Sequence, residues 1–169
     1  MKISFHGATR TVTGSKHIVH LNDGRKVLLD CGMFQGMGKE TVGLNSNFGF
    51  IPTDIDAVVL SHAHIDHSGL LPKLVQQGYL KSIHCTPATK DLATLLMEDS
   101  AGIQANDIKY LNKRRKQEGR PPLEPLYTED DAKAASALLI EHPYQEWFTV
   151  IQDVECMFTD AGHIIGSAC

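Results

Sequence analysis

Apolar and polar positions alternate or cluster in three short runs near the start of the chain: residues 2–6 (KISFH), 16–21 (KHIVHL) and 26–30 (KVLLD). Each has the length and period of a β-strand. Asn22, Asp23, Gly24 and Arg25 supply turn chemistry between the last two, which predicts a hairpin. Residues 7–15 form a polar loop bracketed by glycines. The stretch 32–49 contains Gly32, Gly36, Gly38, Gly43 and Gly49 and reads as a long irregular loop, a feature that in compact domains often carries function. The run 57–61 (AVVLS) suits a strand buried on both faces. A short helix is expected over 68–77, with Pro72 in its first turn, and another strand over 82–85 (SIHC).

Thr86 as N-cap and Pro87 at the first helical position open a long helix reaching about residue 117. Its apolar stripe is expected to be Leu92, Leu95, Leu96 and Ile103, and Gly102 its weak point. Residues 119–125 break the pattern. Thr128 with Asp131 then resembles a capping box for a helix through Leu139. Strands at 147–151 and 154–159 follow, joined at Gln152 and Asp153. The order β-β-β-β-α-β-α-α-β-β makes this an α/β fold with a sheet covered by helices.

With 169 residues, 42% hydrophobic and 21% charged, the chain can build one packed domain and is not globally disordered. The net charge of -4 lacks the basic footprint of a domain that lives on nucleic acid. Cys31, Cys85, Cys156 and Cys169 form no CxxC, so reduced thiols and a cytoplasmic setting are expected. The start of the chain has no apolar segment of the signal-peptide kind, and no apolar run approaches membrane length. The last residues, Thr159 to Cys169, are apolar and carry no polar tail, which suggests a chain cut inside its fold.

Histidine changes the picture. There are nine, and three of them stand with an aspartate in His62-Ala-His64-Ile-Asp66-His67, the pattern HxHxDH. Chance would give this pattern roughly 0.002 times in a chain of this composition, so it reads as a motif. It lies between a predicted strand and a predicted helix, at the carboxyl end of a strand where α/β sheets bind ligands. His62 and His64, two residues apart on extended backbone, can present both rings to one ion. Asp66 and His67 follow a turn and can serve a second. Nitrogen and carboxylate donors without thiolate suit zinc and leave manganese and iron open. A histidine cluster without metal would have to bury three imidazoles with nothing to offset their desolvation.

A second patch is basic: Lys109, Lys113, Arg114, Arg115, Lys116 and Arg120 face a single acid, Glu118. One reading is a phosphate-tracking surface for RNA. The other is a solvated helix end whose cations suit the C-terminal dipole. The negative overall charge and the single interleaved aromatic, Tyr110, favour the second.

HAHIDH followed by SGLLP resembles the second signature motif of the metallo-β-lactamase fold, an αββα sandwich. Leu28 to Gly32 (LLDCG) is similar to its first motif and Asp160 to Ser167 (DAGHIIGS) to its third. This third stretch, with Gly7, the run Val12 to Ser15 (VTGS) and the LLP after the motif, resembles most the β-CASP branch of RNA-processing nucleases. The resemblance spans residues 2 to 168. It implies that His62, His64 and His163 ligate one zinc, that Asp66 and His67 ligate the other, and that Asp30 orients the ligands as a supporting carboxylate. The less favoured alternatives are a turn-forming role for Asp30 after its strand and a structural, strand-end role for His163. His142 reads as an ordinary loop histidine, and His6, His17, His20 and His84 as strand residues that pack or face solvent.

The family's fourth motif, an aspartate bridging two metals, its final histidine and the β-CASP insertion are not found in residues 1–169. The sequence is thus expected to hold the N-terminal part of a metallo-β-lactamase domain, with zinc at one or partial occupancy and weak or no activity by itself. The resemblance implies zinc-dependent hydrolysis of phosphodiesters in single-stranded RNA, by exonuclease or endonuclease action. Asp66 would aim the attacking water. Hydrolysis of small esters or thioesters on the same fold, and a non-catalytic RNA- or protein-binding module, are the competing readings. The natural RNA is not specified, and a homodimer stays open.

Overall fold

A computed structural model describes residues 1–169. The first three strands, β1 (Lys2–Phe5), β2 (His17–His20) and β3 (Lys26–Leu29), pair antiparallel, with Ile18 opposite Leu28 across the β2–β3 hairpin. A short helix α1 (Thr41–Ser46) leads to β4 (Ala57–Val59). The motif region forms α2 (Ile65–Ser68) and α3 (Leu71–Gln76), followed by β5 (Ile83–Cys85), α4 (Pro87–Gln117), α5 (Glu129–Ala137) and β6 (Leu139–Glu141). Strands β3 to β6 run parallel, so the six-stranded sheet has the order β1-β2-β3-β4-β5-β6. A separate antiparallel hairpin, β7 (Trp147–Ile151) with β8 (Val154–Met157), completes the chain's strands.

The sheet is buried on both faces at its centre. On one face Leu28, Val58, Leu60 and Ile83 pack with Leu71, Leu74 and Met97 of the helices, all essentially inaccessible to solvent. Each such aliphatic side chain contributes roughly 1.5–3 kcal/mol by burial. On the other face Val27 and Ala57 meet Val150 of the hairpin, with Phe148, Val154 and Cys156 around them. The layers are helix, sheet, sheet: three of the four in an αββα sandwich.

Two predicted caps are present as hydrogen bonds. Thr86 Oγ1 accepts from Thr89 N at the start of α4, and Thr128 and Asp131 make a reciprocal capping box at the start of α5. Gly102 does not interrupt α4, which runs unbroken for 31 residues.

Several details differ from the sequence reading. The 32–49 stretch is not wholly irregular, because α1 lies within it, pinned by Asn45, whose amide accepts from Phe34 N (2.7 Å) and donates to Phe34 O (2.9 Å). The helix expected over 68–77 is two pieces. At Gly69 a Cβ would come within 2.5 Å of Ile65 O, and Leu70 leaves helical geometry before α3 starts. Of the expected α4 stripe, Leu92 and Leu96 are half-buried and pack against the core, whereas Leu95 and Ile103 are 64% and 53% exposed. Thr89, Ala93, Met97 and Ala101 form the most buried row, an i, i+4 ridge turned toward the core whose first member, Thr89, is bonded to Gly166 O. Finally, α5 stops at Ala137, and Leu139–Glu141 pairs with β5 as the edge strand β6. Leu138, Leu139 and Ile140 continue a helical apolar run in sequence, and three residues are too few to show a strand's alternation.

Candidate metal centre

The motif sits where the parallel sheet ends. Leu60 N donates to His84 O (2.8 Å), extending the β4 ladder by one residue before the chain turns into Ser61 and His62. His64 precedes the single turn of α2, whose Ser68 Oγ donates back to Ala63 O (2.8 Å). His163 arrives from far along the chain on a turn fixed at several points. Asp160 Oδ1 accepts from Gly162 N (2.8 Å), Ala168 N donates to Ser61 O (2.9 Å), and Gly166 O accepts from both Thr86 Oγ1 (2.6 Å) and Thr89 Oγ1 (2.8 Å). Gly166 has φ +84°, and a Cβ there would lie 2.5 Å from Thr89 N, so only glycine seats this turn on the start of α4.

The result is a convergence of three ring nitrogens. One donor atom each from His62, His64 and His163 lies within 4.8 Å of the others. His62 Nε2 and His163 Nε2 are each 3.1 Å from His64 Nδ1. Nitrogens about 2.0–2.1 Å from one tetrahedral ion stand about 3.3 Å apart, so the donor set fits a divalent metal. Burial, then the neighbouring His67 ring, pushes His62 down to about 4, which keeps it neutral and able to donate a lone pair near neutral pH. The Asp66–His67 pair adjoins this group: the His62 and His67 rings are 4.0 Å apart, and His67 Nε2 is 3.7 Å from Asp66 Oδ2.

Asp30 organises the pair from behind. It is buried, at φ +59°, a left-handed conformation that aspartate tolerates better than bulky residues. Its Oδ1 accepts from Ser61 N (2.8 Å), and its Oδ2 accepts from Ser61 Oγ (3.0 Å), Ser15 Oγ (3.2 Å) and His67 Nδ1 (2.7 Å). A carboxylate only accepts, so the bond places the His67 proton on Nδ1 and leaves Nε2 facing the site. Ser61 Oγ, its proton given to Asp30, is 3.0 Å from His62 Nδ1 and accepts there, leaving His62 Nε2 free. One carboxylate thus sets two rings. Burial opposes charge on His67, but the hydrogen bond and charge of Asp30, with Asp66, outweigh it and raise its pKa.

Ser15 enters the sequence reading only as the last residue of the VTGS run, and Ser61 and Lys16 have no role there. Ser61 could have been noticed as the residue between strand and motif. Lys16 carries no local signal. The residue is 1% exposed, and its ammonium donates to Gly14 O (3.1 Å) and Gly32 O (2.7 Å) and lies 4.3 Å from the Phe34 ring centre. Burial lowers it to about 8. It joins the loop that delivers Ser15 to the loop that lies against Asp66.

The remaining histidines lie elsewhere. His6 and His20 contact Ser4 Oγ at 3.0 and 2.8 Å, and His17 is half-buried, with its Nδ1 unpaired. His142 is more than a loop residue: it stacks flat on Phe148 (3.7 Å between centres) and meets the buried His84 (Nε2 to Nδ1, 2.8 Å) beneath the hairpin. Lys113, Arg114, Arg115 and Lys116 are at the far end of α4, about 40 Å along the helix from its start beside Gly166.

A sequence profile described as the Metallo-beta-lactamase superfamily matches residues 17–144, three quarters of the chain. The chain belongs to this superfamily. Among superfamily relatives, it is 40% identical over 168 residues to Ribonuclease TTHA0252 of Thermus thermophilus, covering 99% of this chain and 34% of that protein. It is 32% identical to the transcription termination factor FttA of Methanocaldococcus jannaschii, covering 99% of this chain and 24% of the factor. The chain therefore spans only about a quarter to a third of the length of these relatives. The superfamily fold recurs in solved structures. The metallo-beta-lactamase fold protein YhfI of Bacillus subtilis superposes with a TM-score of 0.53 at 16% identity, over 98% of this chain and 54% of YhfI. The Rm3 metallo-beta-lactamase gives 0.52 at 17%, over 98% and 51%. The fold carries a divalent metal, and His62, His64 and His163 form a group able to bind one. No helix is long and apolar enough to cross a membrane.

Proposed function

We propose that this chain is the N-terminal, metal-binding part of a β-CASP-type ribonuclease that hydrolyses phosphodiester bonds in single-stranded RNA with zinc. The observation that carries the reading is the meeting of His62, His64 and His163 beside Asp66 and His67, with Asp30 behind them. Relatives named as a ribonuclease and a transcription termination factor support RNA as the substrate.

His62, His64 and His163 would hold the first ion, and Asp66 with His67 would give two ligands to a second. Zinc bound there supplies a water acidified toward neutral pH and charge stabilisation for the attacked phosphate. The chain's own residues prepare this. Asp66, partly exposed at the rim, would accept a hydrogen bond from the attacking water and aim it. Asp30 and Ser61 hold His67 and His62 in the tautomers whose Nε2 atoms face inward. Two protein ligands are fewer than the three or four usual for a tight zinc site. The second position is therefore weak in residues 1–169, and so is hydrolysis by this chain on its own.

The test is cleavage of a labelled single-stranded RNA by an intact protein carrying this chain, with zinc and with chelator. Zinc-dependent cleavage is expected. A zinc-loaded protein that leaves RNA untouched while hydrolysing a lactone or a glutathione thioester would overturn the proposal. Absence of zinc binding would favour a non-catalytic module.

A further inference from the structure

The far end of α4 has chemistry that the metal centre does not use. Residues 109–120 hold six basic residues and one acid, a local charge of +5 in a chain of net charge -4, so the rest of the molecule carries -9. This segment is an arm. From Asn106 to Glu124 nearly every residue is exposed or half-exposed. The return segment of the arm is clamped to the helix by Asn112, which accepts from Leu123 N (2.7 Å) and donates to Leu123 O (2.8 Å), and by Arg115 Nε on Pro121 O (2.7 Å). The arm is thus a built element rather than a frayed end.

Its cations are unequal. Arg114 and Arg120 flank Glu118 at 2.9 and 3.4 Å, whereas Lys109, Lys113 and Lys116 make no ion pair. The helix dipole favours cations only in the last turn. That accounts for Lys116 but not for Lys113 and Lys109, one and two turns earlier. Tyr110 is 76% exposed, a costly placement for an aromatic ring without a partner. With Lys113, Arg114 and Gln117 on the same face it lines an open recess of about 380 Å³. A flat aromatic surface beside unpaired ammonium groups at one-turn spacing matches a strand of bases and phosphates.

We propose that this arm binds single-stranded RNA on the flank of the cleaved bond, with a base stacked on Tyr110 and phosphates on Lys109, Lys113 and Lys116. The proposal rests on the RNA reading above. Because the arm lies about 40 Å along α4 from the helix start near His163, it holds a stretch of strand remote from the reacting phosphate. Its loss raises KM and does not alter the pH profile of kcat.

The experiment is fluorescence anisotropy of a labelled 20-nucleotide oligouridine with the 169-residue chain across a salt series. The variants are K109Q/K113Q/K116Q, Y110A and a charge-matched control, K2Q/K39Q/K133Q. The arm triple is expected to weaken binding at least about tenfold and to reduce the log–log salt slope by about 2, at roughly 0.7 per lost phosphate contact. Y110A is expected to weaken it roughly 5- to 150-fold, and the control less than the arm triple. RNA binding with the same affinity and slope in both triples overturns the arm and leaves the RNA reading standing. Failure of the chain to bind RNA, together with failure of the intact protein to cleave it, overturns both. Equal affinity for a polyglutamate peptide, insensitive to Y110A, would assign the arm to an acidic protein partner and overturn the RNA proposal.

Discussion

Replacing Asp30 by asparagine keeps the shape of the side chain and changes only what it can accept. In the wild type, four donors converge on the buried carboxylate: Ser61 N, Ser61 Oγ, Ser15 Oγ and His67 Nδ1. With Oδ1 kept on Ser61 N, the new amide NH₂ faces the other three. The two hydroxyls can rotate and accept, but His67 can accept only by moving its proton from Nδ1 to Nε2. That proton then occupies the lone pair that faces Asp66, the one proposed for the second ion. Loss of charge-assisted hydrogen bonding should cost about 2 kcal/mol, or about 4–8 °C in Tm for a domain of this size. Zinc affinity should fall roughly 10- to 100-fold, the usual effect of losing a carboxylate that supports a ligand. The raised pKa of His67 should fall with the charge that raises it. Calorimetric zinc titration gives the affinity, and ¹⁵N shifts of the labelled imidazoles report each tautomer. An Asp30→Asn protein with wild-type zinc affinity and His67 still protonated on Nδ1 would refute the role assigned to Asp30.

Other substitutions probe the packing around the centre. In Gly32→Ala the new Cβ would stand 1.6 Å from Asp66 O, where Cys31 N and Ser15 N bind the same backbone; destabilisation of about 3 kcal/mol or more, with weakened zinc binding, is expected in urea melts and titrations. Met97→Ala should cost about 2–5 kcal/mol by opening the core, and Leu95→Ala on the same helix within about 0.5 kcal/mol, both read from urea midpoints. Burial, then His142, holds His84 down to about 4, so the unfolded chain takes its proton near 6.5 and the folded chain resists. This contribution is complete above pH 6.5 and is lost as pH falls toward 4, and His84→Gln should flatten the stability slope in that window.

Most of the architecture was legible because it is local. A strand buried on both faces needs an unbroken apolar run, and residues 57–61 supply one; caps need particular side chains at fixed spacing, and Thr86 and the Thr128–Asp131 pair supply those. The core face of α4 was only partly legible, because a threonine, two alanines and a methionine form its most buried row while Leu95 and Ile103 face solvent, and residue size alone points the wrong way. β6 is an edge strand of three residues whose apolar neighbours imitate the end of a helix. At the candidate site, HxHxDH announces itself within six residues. His163 lies 99 residues from His64 and was visible only through the family resemblance. Ser15, Ser61 and Lys16 act through hydrogen bonds that exist only after three loops have met, and no spacing in the sequence encodes such meetings.

The central claim is a metal centre built on His62, His64 and His163. Zinc retained after exhaustive dialysis of the purified chain, measured by atomic emission beside His62→Ala and His163→Ala, tests it most directly. The account predicts about one tightly held zinc per chain, from three ligands on the first position and two on the second, and loss of that zinc in both variants. A wild-type chain that retains none, or variants that retain as much as the wild type, would contradict it.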